Sequence, residues 1–146
     1  MKEININKNI QPTGAIGRRA AAAGVVSIAA GSFAVGYFNP TTAGFFPPCP
    51  FHAMTGWNCP GCGLTRGFHA LFRGDVLSAL HYNAMLPVYA FIFGYILISL
   101  ILVVTRGRGL SWDVFPPAAM YAFLILTIVF SVARNLPFYP FNLLAI

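Results

Sequence analysis

Three stretches of this chain run without a charged side chain: residues 20–38, 85–104 and 115–133. At 1.5 Å of rise per residue each would be about 28–30 Å long as a helix, the thickness of a bilayer's hydrocarbon core. Each is therefore predicted to be a transmembrane helix. Arg18-Arg19 precedes the first, and it ends at Phe38-Asn39-Pro40 rather than at a small-x-small site, which favours a retained span over a secretory or twin-arginine signal. Pro87, near the start of the second, predicts a kink or a fresh start there. Pro116-Pro117 opens the third and Arg134-Asn135 closes it.

The segment 39–84 between the first two spans is patterned differently. From Gly63 to Phe72, Leu64, Phe68, Leu71 and Phe72 recur at helical spacing, with Thr65, Arg66 and His69 around the rest of the turn. Ten residues cannot cross a bilayer, so this helix is expected to lie in the interface or against its neighbours. Arg73-Gly74 should end it. Asp75 is placed to cap the next helix, which is expected to run from Val76 through Leu80, His81 and Asn83 into the second span.

Composition agrees with the pattern: 58% of the residues are hydrophobic and 8% charged, where soluble domains carry about 25% charge. The fold class expected is an all-α membrane protein, with three transmembrane helices plus a short interfacial helix after a cysteine-containing loop. Residues 1–19 read as a polar tail. Residues 136–146 form an apolar tail, with Leu136, Phe138, Tyr139, Phe141 and Leu143, expected to lie on the lipid bilayer or on a neighbour.

The formal charge of +6 does not point to nucleic acid, because the nine Lys and Arg residues are scattered. They report orientation instead. With three spans, Lys2, Lys8, Arg18, Arg19, Arg106 and Arg108 share one side, and Arg66, Arg73 and Arg134 the other. The richer side is expected to face the cytoplasm, which puts the cysteine loop and the C-terminus on the extracytoplasmic side of the membrane. Ala23, Ser27 and Gly31 recur every fourth residue, either as a face for close helix approach or because small residues are common in spans.

Candidate chemistry is concentrated between Cys49 and Asp75. Cys49-x2-His52 followed by Cys59-x2-Cys62 offers three thiols and one imidazole as metal ligands, with zinc-like spacing inside each pair, although only six residues separate the pairs. The same Cys49, Cys59 and Cys62 could form a disulfide and leave one thiol over. A redox role would use Cys62, just ahead of a helix whose N-terminal dipole favours a thiolate. Gly63 after Cys62 excludes haem attachment of the usual kind. Arg66, His69, Asp75 and His81 could gather at the bundle mouth, or Arg66 could snorkel while Asp75 simply caps. No nucleophile with a matched base, no phosphate-binding glycine loop and no paired carboxylates appear, so enzymatic activity is not expected.

The run Cys49-Pro-Phe-His…Thr55-Gly56…Cys59-Pro-Gly-Cys-Gly-Leu-Thr-Arg66, with His69-Ala-Leu and Gly74-Asp75 after it, resembles the bacterial membrane family catalogued as domain of unknown function 2752. The resemblance covers roughly Asn39 to Leu100 and implies a small protein of two to four spans built around this one stretch. Asn83-Ala84 departs from the Asn-Pro pair frequent in the family. No activity follows from the resemblance. The expected role is a small integral accessory subunit or assembly factor of a larger membrane complex, respiratory or photosynthetic; the alternative is a membrane thiol-disulfide or metal-binding protein acting through Cys49, Cys59 and Cys62.

Overall fold

The computed structural model describes residues 13–44, 46–111 and 115–138 of the chain. Among them the structure is all helical: α1 Ala15–Tyr37, α2 Pro50–Thr55, α3 Leu64–Phe72, α4 Val76–Tyr82, α5 Leu86–Arg106 and α6 Pro117–Ala133. The polar tail up to residue 12 and the last eight residues lie outside the described part.

The helix boundaries follow local chemistry. α1 stops before Asn39-Pro40, as a helix must when proline disfavours the α region in the residue before it, and Asn39 Oδ1 then accepts from the backbone N–H and the hydroxyl of Thr41. α2 begins with Pro50 at its first position and ends where Gly56 takes a φ of 73° and returns its N–H to His52 O. Asp75 caps α4 by accepting from Ser78 N at 3.0 Å, as its position in the sequence predicts.

α4 does not run on into the second span. It stops at Tyr82, Asn83 is extended, and α5 restarts at Leu86 with Pro87 in its first turn. The proline produces a fresh start rather than a kink.

α1 and α5 pack side by side and antiparallel. Arg18 Nη2 donates to Val104 O at 2.7 Å and Thr13 N to Gly107 O at 2.9 Å at one end, while His69 of α3 bonds Val35 O near the other. The small residue at the α1–α5 contact is the half-buried Gly24, where a Cβ would stand 3.2 Å from Leu100, and Ala21 one turn earlier is buried. The stripe Ala23, Ser27 and Gly31 is exposed, and a Cβ at Gly31 would meet nothing within 4 Å. A compact apolar centre of Ala70, Ala79 and Leu86, with Leu64, Phe68, Leu71 and Tyr82 against it, joins α3 and α4 to the start of α5.

Three spans are expected from the sequence; two helices, α1 and α5, are long and apolar enough to cross a membrane. α6 has 17 residues, about 25 Å of helix. Phe115 and Pro116, the other two residues of the third apolar run, precede the helix, with Pro116 in extended backbone. After Gly107 the chain turns back along α5: Leu110 N donates to Ser99 Oγ at 3.0 Å and Tyr95 Oη donates to Ser111 O at 2.6 Å. Ser99 lies about 10 Å inside the end of α5, so this returning segment, which precedes the 115–133 run, covers part of the depth alongside α5 before α6 begins. The two α5 side chains satisfy backbone groups that would otherwise be costly in apolar surroundings.

Candidate metal centre

Cys49 is the residue before α2, and Cys59 and Cys62 flank the Pro60-Gly61 turn that leads into α3. The turn closes with Cys62 N donating to Cys59 O at 3.0 Å and Cys59 N donating to Cys62 Sγ at 3.3 Å, and both sulfurs end on one side. Gly63 makes the exit possible: its φ is 78°, the left-handed region that a side chain makes costly. The α2 helix brings the third sulfur round, placing Cys49 Sγ 3.3 Å and Cys62 Sγ 3.2 Å from Cys59 Sγ. All three thiols are free and half-buried, and their sulfurs lie within 4.8 Å of one another. They are close enough to hold a metal ion.

His52 does not join them. It sits on α2, but its Nδ1 is paired with Trp57 O at 3.3 Å, and the group of mutually close ligand atoms contains the three sulfurs alone. The four-ligand set expected from spacing therefore reduces to the three thiols. His52 stands on the six-residue α2, and the Trp57 carbonyl just beyond that helix engages its imidazole instead.

The loop that carries the thiols is held from behind by three side chains. Arg134, 1% exposed, donates Nη1 to Cys62 O at 2.7 Å and to Cys59 O at 3.4 Å, and Nη2 to Tyr82 O at 3.3 Å. Asn83, also 1% exposed, donates Nδ2 to Pro60 O at 2.8 Å and Cys62 O at 3.2 Å, while its Oδ1 accepts from Met85 N at 2.9 Å. Asn135 pairs with Asn58 in both directions, accepting its N–H at 2.8 Å and donating to its carbonyl at 2.9 Å. The carbonyls of Asn58, Cys59, Pro60 and Cys62 are thus satisfied away from the sulfurs, which leaves the thiols as the uncommitted face.

Charge around the loop is lopsided. Arg134 stacks over Phe130 at 5.6 Å, and its Nε is buried without a partner among the described residues. The one carboxylate among those residues is Asp75, fully exposed and engaged at the start of α4. The groups beside the guanidinium that can become anionic include Cys59 and Cys62.

The thiols themselves are unequal. The His52 amide at the start of α2 and the hydrogen bond with Cys59 hold Cys49 below the ordinary thiol value, even though no full capping hydrogen bond closes. Burial, and then hydrogen bonding with Cys59 and Cys49, pushes Cys62 up to about 12. The dipole expectation for Cys62 is overturned: without a bound cation Cys49 is the readier thiolate.

Among the other residues singled out, Arg66, His69 and Asp75 line one polar hollow away from the thiols, and His81 is not part of its wall. Arg134, Asn135 and Asn83 are the residues that sequence reasoning misses as partners of the loop. The signals were present: a charge and two amides immediately beside apolar runs, where polar groups need partners.

Fold and site together define a small helical protein with two candidate membrane-crossing helices and a three-thiol cluster at one end of them. Residues 49–97 match the family model described as Protein of unknown function (DUF2752), the family that the cysteine motif resembles. No curated protein and no solved structure matches the chain. The matched stretch contains all three thiols and Asn83; Arg134 and Asn135 lie beyond it.

Proposed function

We propose that the chain is a small multi-pass protein of the bacterial inner membrane that holds a divalent metal ion, zinc in the first place, through Cys49, Cys59 and Cys62. The observation that carries this reading is the convergence of three sulfurs on a loop whose carbonyls are tied back by Arg134, Asn83 and Asn135. Tetrahedral zinc at about 2.3 Å from each ligand sets sulfurs about 3.8 Å apart, so loading requires the two short pairs to open by about half an ångström. Soft thiolates favour zinc over the oxygen-seeking calcium and magnesium.

Charge supports the same reading. Three thiolates around a divalent ion sum to one negative charge, and the buried Arg134 guanidinium supplies one positive charge behind the loop. With three protein ligands the fourth position is left to solvent or to an incoming donor, the arrangement of exchangeable rather than closed sites. The α6 helix with its returning approach forms the third crossing, and the thiol end faces outward.

The test is metal content of the full chain, purified in detergent under reducing conditions. About one zinc per chain is expected, falling to none in Cys59→Ser and unchanged in His52→Ala. A metal-free protein with a disulfide between any two of the cysteines would sink the reading and restore the thiol-disulfide alternative.

A second reading is favoured by the hollow of about 960 Å³ between α5 and α6, walled by Phe91, Ile92, Met120 and Leu124 among other apolar residues. We infer from it that the protein is an accessory subunit of a larger membrane complex, respiratory or photosynthetic. Extraction in mild detergent should then bring down a large partner in fixed ratio, whereas a stable lone chain would count against it.

A further inference from the structure

We propose that the polar hollow between the Asn39–Thr41 turn and helices α3 and α4 binds a phosphate group at the membrane surface. The hollow has a volume of about 240 Å³, room for about eight waters at bulk density. Arg66, His69 and Arg73 reach it from one face of α3, at the three- and four-residue intervals that align side chains along a helix.

The two guanidinium groups there are uncommitted. Neither Arg66 nor Arg73 has a side-chain hydrogen bond or ion pair among the described residues, although Asp75 lines the same hollow. Asp75 is instead spent on Ser78 N, so two guanidinium charges against one carboxylate leave the wall with a net positive charge. Asn39 uses its Oδ1 on Thr41 and keeps its Nδ2 as a free donor. His69 Nδ1, bonded at 2.7 Å to Val35 O, must carry the proton in that contact, which fixes the ring against α1.

The depth of the hollow selects the ligand class. It opens at Asn39–Thr41, just past the last turn of the apolar α1, the level at which a bilayer presents its phosphates. Two forked guanidinium groups match the paired oxygens of a phosphate. The phosphate could belong to an anionic phospholipid or to a free ion, and the two sources separate experimentally.

The full chain in detergent micelles is titrated with phosphatidylglycerol and, separately, with inorganic phosphate, reading Tm and the mass retained in native mass spectrometry. Retention of phosphatidylglycerol that phosphate does not displace identifies a headgroup site; saturable stabilisation by phosphate alone identifies a free-anion site. Either supports the proposal if affinity falls about tenfold in Arg66→Gln and again in Arg73→Gln. Both arginines are exposed and unpaired among the described residues, so helix content should stay unchanged in either variant, and each single variant decides the matter should the double one unfold.

Arg108→Gln, at the opposite end, should leave binding intact. Binding that survives loss of both arginines, or that Arg108→Gln weakens equally, overturns the proposal. The site shares no residue with the thiol cluster, so Cys59→Ser should abolish metal and spare phosphate binding.

Discussion

Arg134 and Asn83 meet at a single acceptor, the carbonyl of Cys62, at 2.7 and 3.2 Å. Removing Arg134 takes the side-chain donor from Tyr82 O, and removing Asn83 takes it from Pro60 O, at about 1–3 kcal/mol for each carbonyl left unsatisfied. Arg134→Ala should therefore cost about 2–3 kcal/mol in unfolding of the detergent-solubilised protein. Arg134→Lys should recover part of that, since an ammonium reaches one carbonyl but lacks the fork that spans Cys59, Cys62 and Tyr82. Because the Cys62 oxygen keeps one donor in either single variant and loses both only when Asn83→Ala is combined with Arg134→Ala, the double variant should cost more than the sum of the two single ones by about 1 kcal/mol. Strict additivity would mean that the two side chains act on the loop independently.

Among the helices, α3, α4 and the start of α5 form the platform under the thiol loop, and its tightest point is Gly67. A Cβ there would lie 2.5 Å from Leu86 Cδ1 and 3.2 Å from Ala79 O. The leucine can turn away, but the backbone carbonyl cannot, so Gly67→Ala should destabilise by about 1–3 kcal/mol and move α4 away from α3 in hydrogen exchange.

Asp75 gives this platform an acid sensitivity. Its carboxylate is held below the ordinary 3.8 by the Ser78 hydroxyl and amide. A lowered carboxylate contributes stability above the unfolded value and loses it as pH falls through the folded one, so the cap is intact at neutral pH and fails only below 3.8. Exchange at the Ser78 amide should quicken there. Asp75→Asn, an equally good cap, should remove that pH dependence without losing the cap.

The element boundaries were legible where they rest on local rules: the Asp75 cap, the Gly74 stop after α3 and the restart at Pro87. α2 was not, because Pro-Phe-His-Ala-Met-Thr is too short to show a period. α6 was legible to within two residues: the charge-free run begins at Phe115, but Pro116 takes extended backbone and the helix starts at Pro117.

At the scale of the molecule, proximity of Cys59 and Cys62 could be read from their spacing, and Cys49 from the short run between the pairs. The support behind them could not: Arg134 lies 72 residues from Cys62 and Asn135 lies 77 from Asn58, separations at which no sequence interval signals contact. Those same contacts place the thiols with the end of α6 and the start of α5, while Thr13, Arg18, Val104 and Gly107 gather at the other end of α1.

The two ends are separated by the 23 residues of α1, about 34 Å of helix, so a membrane that contains α1 and α5 must hold them on opposite faces. A membrane-impermeant maleimide tests this on intact cells. With a chelator added to strip bound metal, the native thiols should label from outside. Arg108→Cys, in a background with Cys49, Cys59 and Cys62 changed to Ser, should label only after lysis. The reverse pattern would invert the orientation and move the thiol cluster into the reducing cytoplasm, where metal rather than disulfide chemistry is favoured still more strongly. Labelling of both positions from one face would mean that α1 and α5 do not cross together, and the membrane reading of the hairpin would fail with it.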